Sequence, residues 1–344
     1  MSRVAVVLFN LGGPDSLKAV RPFLRNLFAD PAIVQAPGPV RWALAELISR
    51  TRERSARANY AVMGGRSPLL PETEAQGAAL GARLAALRPQ DEVRVFIAMR
   101  YWAPFTAATA AEVAAFAPDE VVLLPLYPHF STTTTASSLA AWTRAYRGGG
   151  RVRGVCCYYD DAGWAQAHAR LIREAWEAAG SPTNVRLLFS AHGLPEQIAA
   201  SGDPYQWQVE RSCATVAALL GERWDWRVCY QSRVGPLKWI GPSTVEEIEA
   251  AAADGVGVIV DPIAFVSEHV ETLVELDRDY REVAERAGVE PYVRVPALGC
   301  AAEFIDALAS LTVATLGREA VGPGGAGCPA ELSKCGRSCG ASAP

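Results

Sequence analysis

Apolar, strand-forming runs fall at residues 4–8, 93–98, 121–126, 185–190, 227–231 and 256–260, some of them carrying a single arginine. Runs of that length with no polar alternation predict strands buried on both faces of a parallel sheet. Between them lie longer stretches of helical period, notably 73–87 and 162–179. This βαβα succession predicts an α/β fold built on doubly wound parallel sheets. A faint internal echo suggests two similar halves: 8–14 reads LFNLGGP and 188–195 reads LFSAHGLP, each a strand ending in a glycine and proline turn.

Two segments carry unusual chemistry. The run VRLLFSAHGLP at 185–195 is a strand that ends on His192, with Gly193 and Pro195 stopping the ladder. Ligands of parallel sheets bind at the carboxyl ends of strands, and imidazole exchanges protons near neutrality without special tuning. The second is 266–280, VSEHVETLVELDRDY, which as a helix would set Glu268, Glu271 and Glu275 along one ridge by three- and four-residue steps, with His269 beside it. Because the strand 256–260 leads into it through Pro262, its first turn also falls at the carboxyl edge of a sheet.

Length and composition narrow the class. A chain of 344 residues, half of them apolar, predicts two domains. The glycine- and arginine-rich stretch 145–153 places the boundary near 150, giving halves 1–150 and 151–320, and VGPGGAG at 321–327 links them to a tail ending at 344. A net charge of −4 leaves no broad basic field for nucleic acid. No run approaches the length of a membrane span, the start of the chain reads as a first strand rather than a targeting segment, and there is no GxxxxGK[ST] phosphate loop.

The chain resembles the ferrochelatases, enzymes that insert ferrous iron into a porphyrin to make haem. The resemblance runs to about residue 311, through FNLGGPDS, LRNLFADP, GGRSPL, MRYWAPFT, LYPHFSTTTTASSL, SAHGLP, YQSRVGPLKWIGPST and PIAFVSEHVETLVELD. It implies two Rossmann-like, chelatase-like halves around a porphyrin cleft, with His192 and Glu271 as the central acid–base and metal-handling pair. Glu268, His269 and Glu275 become a proton or metal relay, and Leu11, Tyr60, Arg100, Tyr101 and Trp102 porphyrin contacts. Protoporphyrin IX and Fe2+ are the implied substrates, in the cytoplasm. Leu11 stands where some members carry an iron-coordinating tyrosine, which favours protoporphyrin over coproporphyrin. A coproporphyrin enzyme, a chelatase for cobalt or nickel, and a non-catalytic porphyrin carrier are the competing readings.

Cys328, Cys335 and Cys339 are spaced C-x6-C-x3-C in a tail too short to form its own core, where metal coordination can replace packing. The resemblance implies a [2Fe–2S] cluster, which needs four thiolates; zinc would accept the same set. Thr132 occupies the place of a cluster cysteine in animal members, so the fourth ligand must come from elsewhere. Cys157 is favoured, with Cys156, Cys213, Cys229 and Cys300 open. Finally, Val40, Leu44, Leu47 and Ile48 form a helical stripe beside Trp42, followed by arginines from 50 to 57, a pattern that suits peripheral contact with the inner membrane and a helix packed on its own domain equally well.

Overall fold

The computed structural model describes residues 1–233, 235–316 and 327–335. The expected apolar runs form two four-stranded, wholly parallel sheets. The first contains β1 (Arg3–Asn10), β2 (Glu92–Met99), β3 (Glu120–Pro125) and β4 (Arg151–Gly154) in the order β2-β1-β3-β4. The second contains β5 (Val185–His192), β6 (Asp225–Gln231), β7 (Gly257–Asp261) and β8 (Tyr292–Arg294) in the order β6-β5-β7-β8.

The central strands are apolar throughout because helices cover both of their faces. Residues 4–9 of β1 are all buried, and Ala5, Val7 and Phe9 pack with Val113, Phe116 and Trp142 on one side of the sheet. In the second sheet Leu188, Val258 and Val260 meet Ile248, Ala251, Leu276 and Ala284. Two strands have no apolar signature, β4 (RVRG) and β8 (YVR). Both are edge strands, where one side of the backbone ladder is unpaired and charged side chains are tolerated. Arg151 lies opposite Glu120 of β3, and Glu120 takes ion pairs from both Arg151 and Arg153.

The chain divides into two units. The first comprises Met1–Tyr127, Ser131–Cys156 and, from residue 309, the second half of the helix Ala302–Thr315; the second comprises Pro128–Phe130, Cys157–Leu308 and, among the described tail residues, 327–335. The division falls after Cys156 rather than at 150, because β4 still pairs with β3. It also departs from a boundary near 320, since the last helix is shared.

The internal echo is much longer in space than in sequence. Both units order their strands second, first, third, fourth. Phe9 is the last β1 residue opposite β3, and Phe189 the last β5 residue opposite β7. After the second strand, each chain returns to it through a proline carbonyl, Pro104 O accepting from Met99 N at 2.8 Å and Pro242 O from Tyr230 N at 2.9 Å. A crossing helix then starts at once, at Thr106 or Thr244.

Candidate active site

His192 is the last residue of β5 and is half-buried. Its Nδ1 lies 2.6 Å from the Gly193 carbonyl oxygen. A carbonyl has no proton to give, so Nδ1–H donates and the neutral ring keeps its lone pair on Nε2. The backbone around it is fixed at two points: Gly193 N donates to Gln231 O at 2.8 Å, and Tyr205 Oη donates to His192 O at 3.0 Å. Gly193 has no room for a side chain, since a Cβ there would lie 3.0 Å from Gln231 O and 3.1 Å from the Trp239 ring. Trp239 consequently leans over His192 with 6.4 Å between ring centroids.

The acidic segment is a π-helix, Glu271–Asp279, where a regular α-helical ridge was expected, and it continues into the α-helix Tyr280–Ala287. Wide π turns concentrate at functional sites, because the looser bonding re-aims side chains. The fastening that holds this one is Gln231, at the end of β6 and directly opposite His192 in the ladder. Gln231 is buried, accepts from Ser190 Oγ at 2.8 Å, and donates through Nε2 to Glu271 O at 2.9 Å and to Glu275 Oε2 at 2.8 Å. Ser232 donates to the same Glu275 oxygen. One side chain thus ties the strand of the histidine to the helix of the carboxylates.

Glu268, His269, Glu271 and Glu275 of the acidic segment differ in environment. Glu275 titrates above the ordinary glutamate range, first because it is buried and further because Glu271 is a neighbouring like charge, against the opposing effects of Ser232, Gln231 and His192. His269 Nε2 sits 3.5 Å from Glu271 Oε2, and its ring packs edge-on against Phe265. Burial lowers the His269 pKa despite Glu271 and Glu268, so the ring is neutral at physiological pH. Glu268 has the opposite balance: burial would raise it, but Arg294 Nη1 at 2.7 Å, Thr272 Oγ1 and the Ala297 amide hold it below the usual range. Its carboxylate is therefore committed to Arg294 of β8, which also pairs with Asp277. His192, Glu271, Glu275 and His269 share one electrostatic neighbourhood, with Glu268 on its Arg294-facing side.

The residues foreseen as porphyrin contacts belong to the first unit. Leu11 follows β1 directly, and its carbonyl accepts from Tyr101 N at 2.9 Å. Arg100 and Tyr101 turn inward onto Asp30: Arg100 Nη2 at 2.6 Å, Tyr101 Oη at 2.8 Å and Ser137 Oγ at 2.6 Å all donate to one carboxylate oxygen. Trp102 is half-buried and donates through Nε1 to Asp15 at 3.0 Å, while Tyr60 is buried near the end of the helix Gly38–Val62.

Sequence reasoning passed over Gln231, whose signal was a polar residue closing a buried apolar strand. It also passed over a fully buried group in the second unit, in which His168 Nδ1 lies 3.1 Å from Asp261 Oδ1 and His129 Nε2 lies 2.9 Å from Ser212 Oγ. Ser212 gives its own proton to Tyr159 O, so His129 donates through Nε2, and burial together with His168 lowers its pKa to about 3.

Three of the tail-associated cysteines are described. Gln208 Nε2 lies 3.2 Å from Cys328 Sγ and 3.5 Å from Cys157 Sγ, and the Cys335 thiol interacts with Cys328. Cys339 lies outside the described residues. Cys213 and Cys229 are sealed in the second unit, and Cys300 is exposed. Among the described residues no group of three or more histidine, cysteine, aspartate or glutamate side chains is arranged around a single metal-ion position.

The family model described as ferrochelatase matches residues 3–316. The chain belongs to the ferrochelatase family. Among its relatives are the ferrochelatases of Caulobacter vibrioides, 62% identical over 339 residues and covering 97% of both chains, and of Phenylobacterium zucineum, 60% identical over 334 residues with the same coverage. The fold is also that of CbiX, a terminal enzyme of sirohaem biosynthesis, with a TM-score of 0.50 at 20% identity over 91% of this chain and 99% of that one. Members of the family are lyase-class metal chelatases, and the paired sheets described above are the chelatase architecture.

The divided environments of the carboxylates predict opposite pH signatures. Glu275, raised in the fold, contributes stability that is complete below the ordinary glutamate pKa of about 4.3 and lost as pH rises through its folded value. Glu275→Gln should flatten that fall and raise the denaturation midpoint at pH 7. Glu268, lowered in the fold, contributes above the ordinary pKa and loses its contribution as pH falls, so Glu268→Gln should cost about 2–3 kcal/mol at pH 7 and progressively less in acid. Urea denaturation across pH 3.5–8, tracked in ~half-unit steps, reads both.

Proposed function

We propose that this ferrochelatase-family protein inserts ferrous iron into protoporphyrin IX, with His192 Nε2 accepting a pyrrole proton and Glu271 and Glu275 handling the second proton and the incoming cation. The observation that supports this reading is the Gln231 tether, which ties the strand of His192, a ring whose neutral form keeps its lone pair on Nε2, to the half-buried Glu271 and Glu275. Metalation removes two protons from the porphyrin and the hydration shell from Fe2+, and the total charge is conserved as Fe2+ replaces two H+. A base aimed at the ring and anionic oxygens for the desolvated cation are what that exchange requires. Burial and the neighbouring Glu271 carboxylate both push the Glu275 pKa above the ordinary glutamate range, so Glu275 is the carboxyl that gives up a proton as a cation arrives. Glu268, bound to Arg294, anchors the start of this segment, and neutral His269 orients Glu271. Leu11, which offers no oxygen to iron, supports protoporphyrin over coproporphyrin. Arg100 and Tyr101 act through Asp30 to shape the turn that presents Leu11 and Trp102.

The tail carries a [2Fe–2S] cluster in this reading. Cys157 and Cys328 supply two sulfurs that share the Gln208 amide donor, Cys335 a third that interacts with Cys328, and Cys339 the fourth of the thiolates a cluster needs. Metal insertion has no net redox step, so the group has a structural or sensing role. Backbone and side-chain bonds from Lys334 to Gly202 O, at 3.1 Å, and to Ser201 Oγ, at 2.6 Å, fasten the tail just after the helix Glu196–Ala200.

The helix Gly38–Val62 is the surface for peripheral contact with the inner membrane. Ala45 and Ser49 face inward, whereas Val40, Trp42 and Leu47 are each more than half exposed and are followed by Arg50, Arg52, Arg54 and Arg57. Apolar side chains that can enter the headgroup layer, next to cations that meet anionic lipids, suit an interfacial helix. No helix among the described residues is long and apolar enough to cross a membrane.

Zinc insertion followed by porphyrin fluorescence tests the activity directly. Turnover should be faster with protoporphyrin IX than with coproporphyrin III, and His192→Ala should lower it by about 10²–10⁴-fold while porphyrin still binds. Faster coproporphyrin turnover would transfer the protein to that substrate, and binding without any insertion would make it a carrier. Trp42→Ser with Leu47→Ser should reduce sedimentation with anionic vesicles several-fold without lowering insertion of solubilised porphyrin; unchanged sedimentation would reject the membrane surface.

A further inference from the structure

Gln208 lies in the helix Tyr205–Leu220 and is fully buried, yet every polar atom of its side chain is used. Oε1 accepts from Phe130 N at 2.7 Å. That bond leaves the amide no choice of orientation, because a flipped amide would set its NH2 against a backbone N–H. Nε2 must therefore face the other way, where it meets Cys328 Sγ at 3.2 Å and Cys157 Sγ at 3.5 Å. One sulfur comes from the chain immediately after the unit boundary and the other from the tail, 171 residues later by their numbering. Nothing else described in the second unit donates a hydrogen bond to both.

We propose that Gln208 is the positioning residue of the sulfur site, a fixed amide that draws the Cys157 and Cys328 sulfurs together and donates to them when they bind a cluster. This rests on the cluster reading given above. A donor N–H beside a sulfur ligand delocalises its negative charge, which favours the more negative, reduced cluster and raises its reduction potential. Thiolates are also better acceptors than thiols, so the two bonds strengthen once the cysteines are deprotonated by metal. The same amide serves docking of the tail, whose neighbouring residues close on Gly202. There the left-handed backbone leaves no room for a side chain: a Cβ would lie 2.9 Å from Ser333 Oγ.

Two substitutions in the full-length protein test this. Gln208→Glu keeps the size and the acceptor for Phe130 N but turns an anionic oxygen toward the sulfurs; Gln208→Met keeps the length and removes both polar functions. Protein purified without oxygen is assayed for iron and acid-labile sulfide, for the paramagnetic signal of the reduced cluster, and for the midpoint potential of that signal by redox titration. The wild type should hold two irons and two sulfides per chain, by the stoichiometry of the cluster. Gln208→Met should retain a cluster with a more negative potential and a several-fold faster loss to a chelator, and Gln208→Glu should shift further in the same directions. An intact cluster with unchanged potential and unchanged loss rate in both variants overturns the role of Gln208 and leaves the cluster in place. A wild type without iron and sulfide, or with stoichiometric zinc, overturns the cluster reading itself.

Discussion

The link between the strand of His192 and the acidic helix depends on the hydrogen bonds of one buried amide, Gln231. It receives a proton from Ser190 on the histidine's own strand and gives two to the π-helix, one to the Glu271 carbonyl and one to the Glu275 carboxylate. A buried polar side chain is costly unless all its bonding capacity is met, and here each bond also fixes a functional group. Without the tether, two carboxylates on a wide helical turn would repel each other and relax toward solvent. With it, Glu275 stays half-buried with a raised pKa, on a helix tied to the strand that ends in His192.

Much of this was readable from residue patterning, and the failures have physical causes. Strands covered on both faces cannot alternate, so β1, β3, β5 and β7 declared themselves as apolar runs. The edge strands β4 and β8 did not, because they are short and carry arginines whose partners, Glu120, Asp277 and Glu268, lie on other elements. His192 stood out because glycine and proline end its strand at once. The acidic segment was recognisable as a helix, but the period of its glutamates does not distinguish an α turn from a π turn; that choice is made by Gln231 and Ser232, some forty residues upstream in the chain. Glu268 reads as one more member of the ridge until Arg294 claims it. The sulfur site was half visible: the spacing of tail cysteines announced metal chemistry, whereas Gln208 carries no local mark at all.

The two units share a topology but load it differently. Where the first strand of the second unit ends in a histidine, that of the first ends in Asn10, which is spent on Thr73 at 3.0 Å. Where the second unit leaves carboxylates facing a base, the first gathers Arg100, Tyr101 and Ser137 around Asp30, whose carboxyl is held below its ordinary range: burial acts against that, and Ser137, the Ala32 amide, Arg100 and Tyr101 outweigh it. One edge is thus electrostatically closed and the other is poised. The repeated scaffold supplies strand ends and proline returns, and the residues at those ends give the two edges different electrostatics.

The proposed role of His192 depends on which nitrogen of its ring carries the proton. With only four histidines in the chain, nitrogen-15 spectra of labelled protein, assigned against His192→Ala, resolve the two nitrogens of His192 individually. The Gly193 carbonyl predicts that, in the neutral form of the ring, Nδ1 carries the proton and Nε2 gives a pyridine-type resonance. A ring protonated at Nε2 in the neutral form would place the lone pair against the backbone and contradict the assignment of His192 as the proton acceptor.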